Sequence, residues 1–209
     1  MKKPYKWIGG ILAVLVLLII GAYIYMRTAM HGFSARAEPS GVEAMLATYA
    51  RATAMPSSAK TMKNPVPASP EVLHEAMAHF ADHCAVCHAN NGNGDTMFGN
   101  GLYPKPPDLR LARTQDLSDG EIFYIVENGI RMSGMPAFGG SDSADASWKL
   151  VRFIRHLPKL TQAELSEMES LNPKGPEERK EEQEKSSSST AALRHLQLQL
   201  RTPNMKHNH

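Results

Sequence analysis

The chain has 209 residues, with 23 Lys and Arg against 21 Asp and Glu and a formal net charge of +2. That near balance argues against nucleic-acid binding, which shows as a basic patch or stripe. Only the middle, about residues 64–160, reads as a compact unit, close to the usual size of one domain.

The first residues, Met1-Lys2-Lys3-Pro4-Tyr5-Lys6, are basic, and Trp7 to Met26 is an uncharged apolar run of the length that crosses a bilayer. Trp7, Tyr23 and Tyr25 stand at its ends, where interfacial aromatics are found. A cleaved signal peptide is the rival reading, since Ala35-Arg36-Ala37 offers a small-x-small site. That site lies well beyond Met26, whereas a signal is cut close behind a shorter apolar core, so an uncleaved anchor is expected. Lys2, Lys3 and Lys6 outweigh Arg27 and Arg36, which leaves the N-terminus in the cytoplasm and everything after the span outside. The expected location is a bacterial inner membrane, crossed once, with the globular part in the periplasm.

Residues 27–68 read as a linker holding one short helix. Ser40 and Glu43 have capping-box spacing, and Val42, Met45, Leu46 and Tyr49 follow at helical intervals. Packing of this apolar face on the globular domain is the default expectation, with a bilayer surface or a spacer role as alternatives. Pro56, Pro65, Pro67 and Pro70 then punctuate a stretch too rich in proline for regular structure.

A helix is predicted from Pro70 to His83, with Ser69 as N-cap, Pro70 in the first turn and Glu71 at the positive end of the dipole. Leu73, Ala76, Met77, Phe80 and Cys84 share one face. His74, His79 and His83 are expected to be solvated or locally hydrogen-bonded rather than metal ligands.

The helix runs into His83-Cys84-Ala85-Val86-Cys87-His88, and C-x-x-C-H is the arrangement that attaches a c-type haem. The chemistry needs that spacing: each sulfur adds to a haem vinyl group, and the adjacent imidazole is fixed beneath the iron. Cys84 and Cys87 are therefore expected to hold one haem c covalently, with His88 as the proximal ligand. A thioredoxin-like dithiol normally follows a strand, a zinc site needs about four ligands, and a Cys84–Cys87 disulfide closes too short a loop to stabilise much.

Asn91-Gly92-Asn93-Gly94-Asp95 forms a turn cluster, and Gly99 to Asp108 an irregular loop. Ser118 and Glu121 make a second capping box, opening a helix through Ile122, Phe123, Ile125 and Val126 that stops at Gly129. A last helix runs from about Asp145, with Leu150, Phe153, Ile154 and Leu157 in register, until Pro158. No run of alternating strands appears, so the domain is expected to be mostly α.

The sixth iron position points to the loop Asn128 to Phe138. Met135, between Gly134 and Pro136, is preferred to Met132 because proline fixes the backbone and glycine removes bulk. Met/His ligation is an established cytochrome c arrangement, although a methionine pair simply filling the core is the competing reading.

FADHCAVCH, YPKPPDL, NGIRMSGMPAF and WKLVRFIRHL, in that order, resemble the class I c-type cytochromes over about residues 69–160. The resemblance implies that the first and last helices of the domain cross through aromatics, at Phe80 and Phe153. It also implies that a prolyl carbonyl receives the second N–H of the proximal imidazole; Pro107 is the best match, with Pro104 and Pro106 close by, and such a bond would orient His88. The chain differs from small soluble cytochromes in its anchor, its extra helix and its tail.

From residue 161 to 209 a hydrophilic tail without a core is expected; the composition shifts after Leu171, and EERKEEQEKSSSST is a charged, serine-rich tract. Ala191 to Arg201 has the pattern of a transient helix, and His195, His207 and His209 are compositional features rather than a specific metal site.

The domains are thus expected at 1–26, 27–68, 69–160 and 161–209. The expected function is single-electron transfer through a His/Met-ligated haem, as an electron carrier rather than an enzyme, with membrane-bound or periplasmic redox proteins as partners and no small-molecule substrate. A fixed haem subunit of a larger oxidase or dehydrogenase, or a haem enzyme or gas sensor with a labile sixth ligand, is the alternative. Residues 64–160 carry 8 Lys and Arg against 11 Asp and Glu, which indicates no strongly basic docking face, although Arg131, Lys149, Arg152 and Arg155 suggest a local cationic patch.

Overall fold

The structure is a computed structural model that describes residues 5–29, 34–140, 143–175, 180 and 194. The chain divides into two units, Met1–Leu171 and Asn172–His209. Of the second, only residues 172–175, 180 and 194 are described, so the expected tail helix and His195, His207 and His209 lie outside the described residues, apart from Arg194.

The first unit is helical, with no strand ladder among the described residues. Helix α1, Tyr5–Thr28, contains a stretch from Trp7 to Thr28 long and apolar enough to cross a membrane, properties that a signal sequence shares. Helices α2 (Gly41–Ala54) and α3 (Ser57–Thr61) precede the haem-motif helix α4, Pro70–His79. After the motif, carried by α5 (Ala85–His88), come α6 (Ala112–Gln115), α7 (Asp119–Asn128), α8 (Ala144–His156) and α9 (Gln162–Leu171).

Each long helix of the domain starts where a side-chain oxygen meets an otherwise orphaned amide. Ser69 Oγ accepts from Val72 N, and Ser143 Oγ accepts from Ala146 N. At α7 the box is complete: Ser118 Oγ accepts from Glu121 N while Ser118 N donates to the Glu121 carboxylate.

The core forms where α4 crosses α8. Phe80 and Phe153 are fully buried with ring centroids 5.1 Å apart, and Phe123 of α7 stacks on Trp148 of α8 at 4.0 Å and 8°. Aromatic pairs at these separations add to the stabilisation from area burial.

Several expectations differ from the structure, the short helix α3 within the proline-rich stretch among them. The hydrophilic tail does not begin at residue 161: Gln162–Leu171 is helical and buries Met168 completely against the main core. Two apolar positions three apart, Met168 and Leu171, pack on the core and seat the helix, and His74 and His156 bind its Glu167 and Glu164 at 2.9 and 2.8 Å. The cationic patch that Lys149, Arg152 and Arg155 could have made, with a solvated helix face as the plainer reading, is instead tied into the structure. Lys149 pairs with Glu75 and Asp145; Arg152 donates to Val66 O; and Arg155 binds Asp119, Gln115 O and Leu117 O. The apolar face of α2 does not pack on the domain either. Val42, Met45, Leu46 and Tyr49 are exposed, while Ala44 and Arg51 on the opposite side are partly covered.

Candidate functional site

The segment carrying the two cysteines is not a continuous α-helix. At Phe80–Cys84 the chain widens into a π turn before α5 resumes the ordinary pitch. Such bulges insert one residue into a helix and are frequent at functional sites. Here the insertion keeps Phe80 and Ala81 in the core while turning Asp82 and His83 to solvent. His83 meets Asp82 at 3.2 Å and packs edge-on against His79 at 4.9 Å.

Cys84 and Cys87 are both partly buried and are not joined in a disulfide. Burial raises the Cys87 thiol above its ordinary pKa. His88 closes α5, and the next residue, Ala89, adopts φ +60 and ψ 159, a region nearly restricted to glycine. The chain then doubles back: Gly94 N donates to His88 O, and Leu109 N to Gly92 O.

Thr96 closes this turn. Its hydroxyl donates to Val86 O at 2.8 Å and accepts from Gly99 N at 2.8 Å, so a carbonyl of the motif helix and the following loop share one side chain. Gly99 is pressed to the same place, since a Cβ there would fall 2.6 Å from Cys87 O. Sequence reading singled out neither residue. A threonine near a turn carries no signal of its own until the carbonyl it reaches, ten positions back, is known.

The His88 ring is held from one side. Burial lowers its pKa to about 4, and the Pro107 carbonyl acts in the opposite sense. Nδ1 is fully buried and completes no well-formed hydrogen bond, so the carbonyl approaches the ring without closing an ideal bond to it. Of the neighbouring prolines, Pro106 turns its carbonyl to Gly94, 2.7 Å from where a Cβ would stand. The Tyr103–Pro104 peptide is cis.

The methionine loop is built around two glycines. Gly129 has φ +64 and lies under Met135–Pro136–Ala137, where a Cβ would come within 2.6 Å of Pro136 C and 2.7 Å of Met135 O. Gly134 lies against Leu102, so the loop packs on the proline segment. Ile130 N donates to Met135 O, and Met135 N donates to Ser133 Oγ. Met135 is partly buried, whereas Met132 sits at φ +59 and is 91% exposed.

These residues fit a haem c better than a bare ion. Two unjoined thiols on adjacent turns, a neutral imidazole with a buried and poorly satisfied nitrogen, and a partly buried thioether are the kinds of donor that group takes. Among the described residues no cluster of three or more His, Cys, Asp or Glu is placed to hold a metal ion, so the zinc reading lacks ligands. The dithiol follows a helix rather than a strand, which removes the thioredoxin-like context.

Residues 71–154 match the family model described as cytochrome c oxidase, cbb3-type, subunit III. A search of curated proteins finds no significant match. Among solved structures, a chain of the Kuenenia stuttgartiensis reducing HAO-like protein complex Kustc0457/Kustc0458 aligns at 19% identity and a TM-score of 0.40, over 46% of this chain and 49% of that one. The chain thus spans about half the length of that relative. Together with the motif and the helical fold around it, the family match establishes residues 71–154 as a c-type cytochrome domain, which implies haem c.

Proposed function

We propose that the chain is a membrane-anchored cytochrome that passes single electrons through one haem, held by Cys84 and Cys87 and ligated by His88 and Met135, with the domain on the periplasmic side. When bound, the haem supplies one-electron Fe(III)/Fe(II) chemistry. The observation that carries this reading is the state of His88. Its buried ring is kept neutral and therefore able to donate to a metal, with the Pro107 carbonyl as the group that would orient it.

The protein's contribution is to fix positions and to limit water. Cys84 and Cys87 would form the two thioethers, and the Thr96 and Gly99 contacts hold the carbonyl end of that helix still. Pro136 and Gly129 set the backbone of Met135, whose neutral sulfur, bound to the iron, would favour the ferrous state and raise the potential. Were His88 and Met135 both to bind the iron, no open site would be left for a small-molecule substrate. The anchor α1 keeps the domain at high effective concentration near membrane redox proteins. A fixed place in a larger oxidase is the second reading, favoured because the matched family is that of an oxidase subunit.

The test is spectroscopic. The oxidised protein should show a methionine-sulfur charge-transfer band that disappears in Met135→Ala and persists in Met132→Ala, and the unmutated reduced form should not bind carbon monoxide rapidly. Rapid carbon monoxide binding would contradict the ligand assignment. Co-purification through detergent separates a permanent subunit from a mobile carrier.

A further inference from the structure

The side of α2 turned away from the domain is its apolar one. Val42, Met45, Leu46 and Tyr49 are 65%, 61%, 58% and 71% exposed and fall within one stripe of the helix. The covered side carries Ala44 and Arg51. Polar bonds fix this orientation: the Tyr103 hydroxyl donates to the Glu43 carboxylate, and Lys105 Nζ binds Glu38 Oε1 at 2.6 Å just ahead of the helix. Burial of Arg51 beside Arg113, partly offset by Glu121, lowers its pKa and marks the side facing α7. An apolar stripe facing outward on a helix bonded through its polar side is covered by something other than its own domain.

We propose that this stripe lies in the headgroup region of the bilayer that α1 crosses, so that α2 rests the cytochrome domain on the membrane surface. The inference rests on the anchor reading of α1. Continuity of the chain is the first argument for a lipid occupant. Only residues 29–40 separate α1 from α2, so a fully extended linker keeps the start of α2 within about 40 Å of the membrane end of α1. The second argument is proximity. Tyr25, in the interfacial part of α1, is near enough to Tyr103 to act on its phenol, alongside the larger effect of the Glu43 bond. The loop that grips α2 is therefore close to the end of the anchor. The chemistry of the stripe is the third: it is uncharged and carries a tyrosine, a side chain favoured at membrane interfaces. Because the stripe has no lysine or arginine, binding should depend on apolar burial rather than on anionic lipid.

The test uses the full haem-loaded chain in phosphatidylcholine vesicles, in the diamagnetic ferrous state. With Cys84 and Cys87 in thioethers, one introduced cysteine at a time carries a spin label, at Val42→Cys, Met45→Cys, Leu46→Cys, Tyr49→Cys, Ala47→Cys and, within α1, Val14→Cys. Collisions with oxygen, which concentrates in lipid, are compared with those of a water-soluble nickel chelate. The expected result is an oxygen-to-nickel ratio several-fold higher at the four stripe positions than at Ala47→Cys, unchanged by salt or by added anionic lipid, with Val14→Cys higher still. Nickel access at all four stripe sites while Val14→Cys stays in lipid would overturn the proposal and leave the anchor standing. Protection of the stripe from both reagents would overturn it in favour of a protein partner or a second copy. Nickel access at Val14→Cys would overturn the anchor reading and this inference with it.

Discussion

Gly129 lies directly beneath the backbone of Pro136, so close that a single methyl group on it would meet the peptides on either side of that proline at 2.6 to 2.8 Å. The contact is with main chain, which cannot rotate aside as a side chain can. Gly129→Ala should therefore cost about 2 kcal/mol or more, since strain from φ +64 adds to the clash. It should also displace Met135. The expected outcome is a lower thermal midpoint together with weakening of the methionine-sulfur band. Gly134→Ala meets only the ends of the Leu102 side chain and should be milder on both measures. Equal effects from the two variants would contradict this account of the loop.

Ala89 offers the opposite kind of test. Its φ of +60 with ψ 159 is strained for any residue with a Cβ, and it immediately follows His88. Ala89→Gly should stabilise the protein by about 1 kcal/mol, as read by denaturant midpoint, because removal of the methyl relieves more strain than the added freedom of the unfolded chain costs. A net loss of stability would show that the strain is not there.

The contact of Phe80 with Phe153 was legible from sequence spacing and resemblance together, and so were the start of α7 at Ser118 and the end of α8 near Pro158. The two helix ends are local, set by caps and breakers, whereas the ring contact joins residues far apart in sequence and needed the resemblance. The π turn at Phe80–Cys84 was not legible, because the extra residue is accommodated only by how the flanking side chains seat in the core. Nor was the seat of α9, where Met168 alone is fully buried. The apolar stripe of α2 was seen, and the domain was only the default among its possible covers, since periodicity says that a face is apolar and nothing about what lies against it. At the candidate site, the thiols and the imidazole stood out by spacing, while Thr96 and Gly99 became visible only through the backbone atoms they touch.

Truncation of the buried ring pair should be severe. Phe153→Ala is expected to destabilise the protein by about 3 to 5 kcal/mol, a combination of lost transfer energy and an unfilled cavity beside Phe80. Phe153→Leu, which keeps most of the volume, should cost clearly less. Thermal or denaturant unfolding of the haem-loaded protein followed at the Soret band reads both, and a similar cost for the two would argue against the packing described.

The pH dependence has a definite sign at His88. Its pKa is lowered from 6.5 to about 4, first by burial, so the folded protein resists protonation of the ring while the unfolded chain takes the proton up. In the haem-free chain the stability it contributes is fully present above about pH 6.5 and falls as the pH drops toward 4, by roughly 3 kcal/mol over the interval. The neutral ring is also the form that binds metal. The visible spectrum should therefore hold from neutral pH down to about 4 and change only below it, as iron would hold the proton off further still. Loss of the low-spin spectrum near pH 6.5 in an optical titration would contradict this.

The central claim is that one haem is bonded through Cys84 and Cys87 and seated on His88. Intact-mass measurement of the full chain after expression with a cytochrome c maturation system tests it most directly, with peptide mapping to place the modification. The account predicts the added mass of one haem on the peptide containing Cys84-Ala85-Val86-Cys87-His88, and its loss in the Cys84→Ala, Cys87→Ala double variant. An unmodified, colourless chain, or a haem that is extracted without breaking a covalent bond, would contradict it.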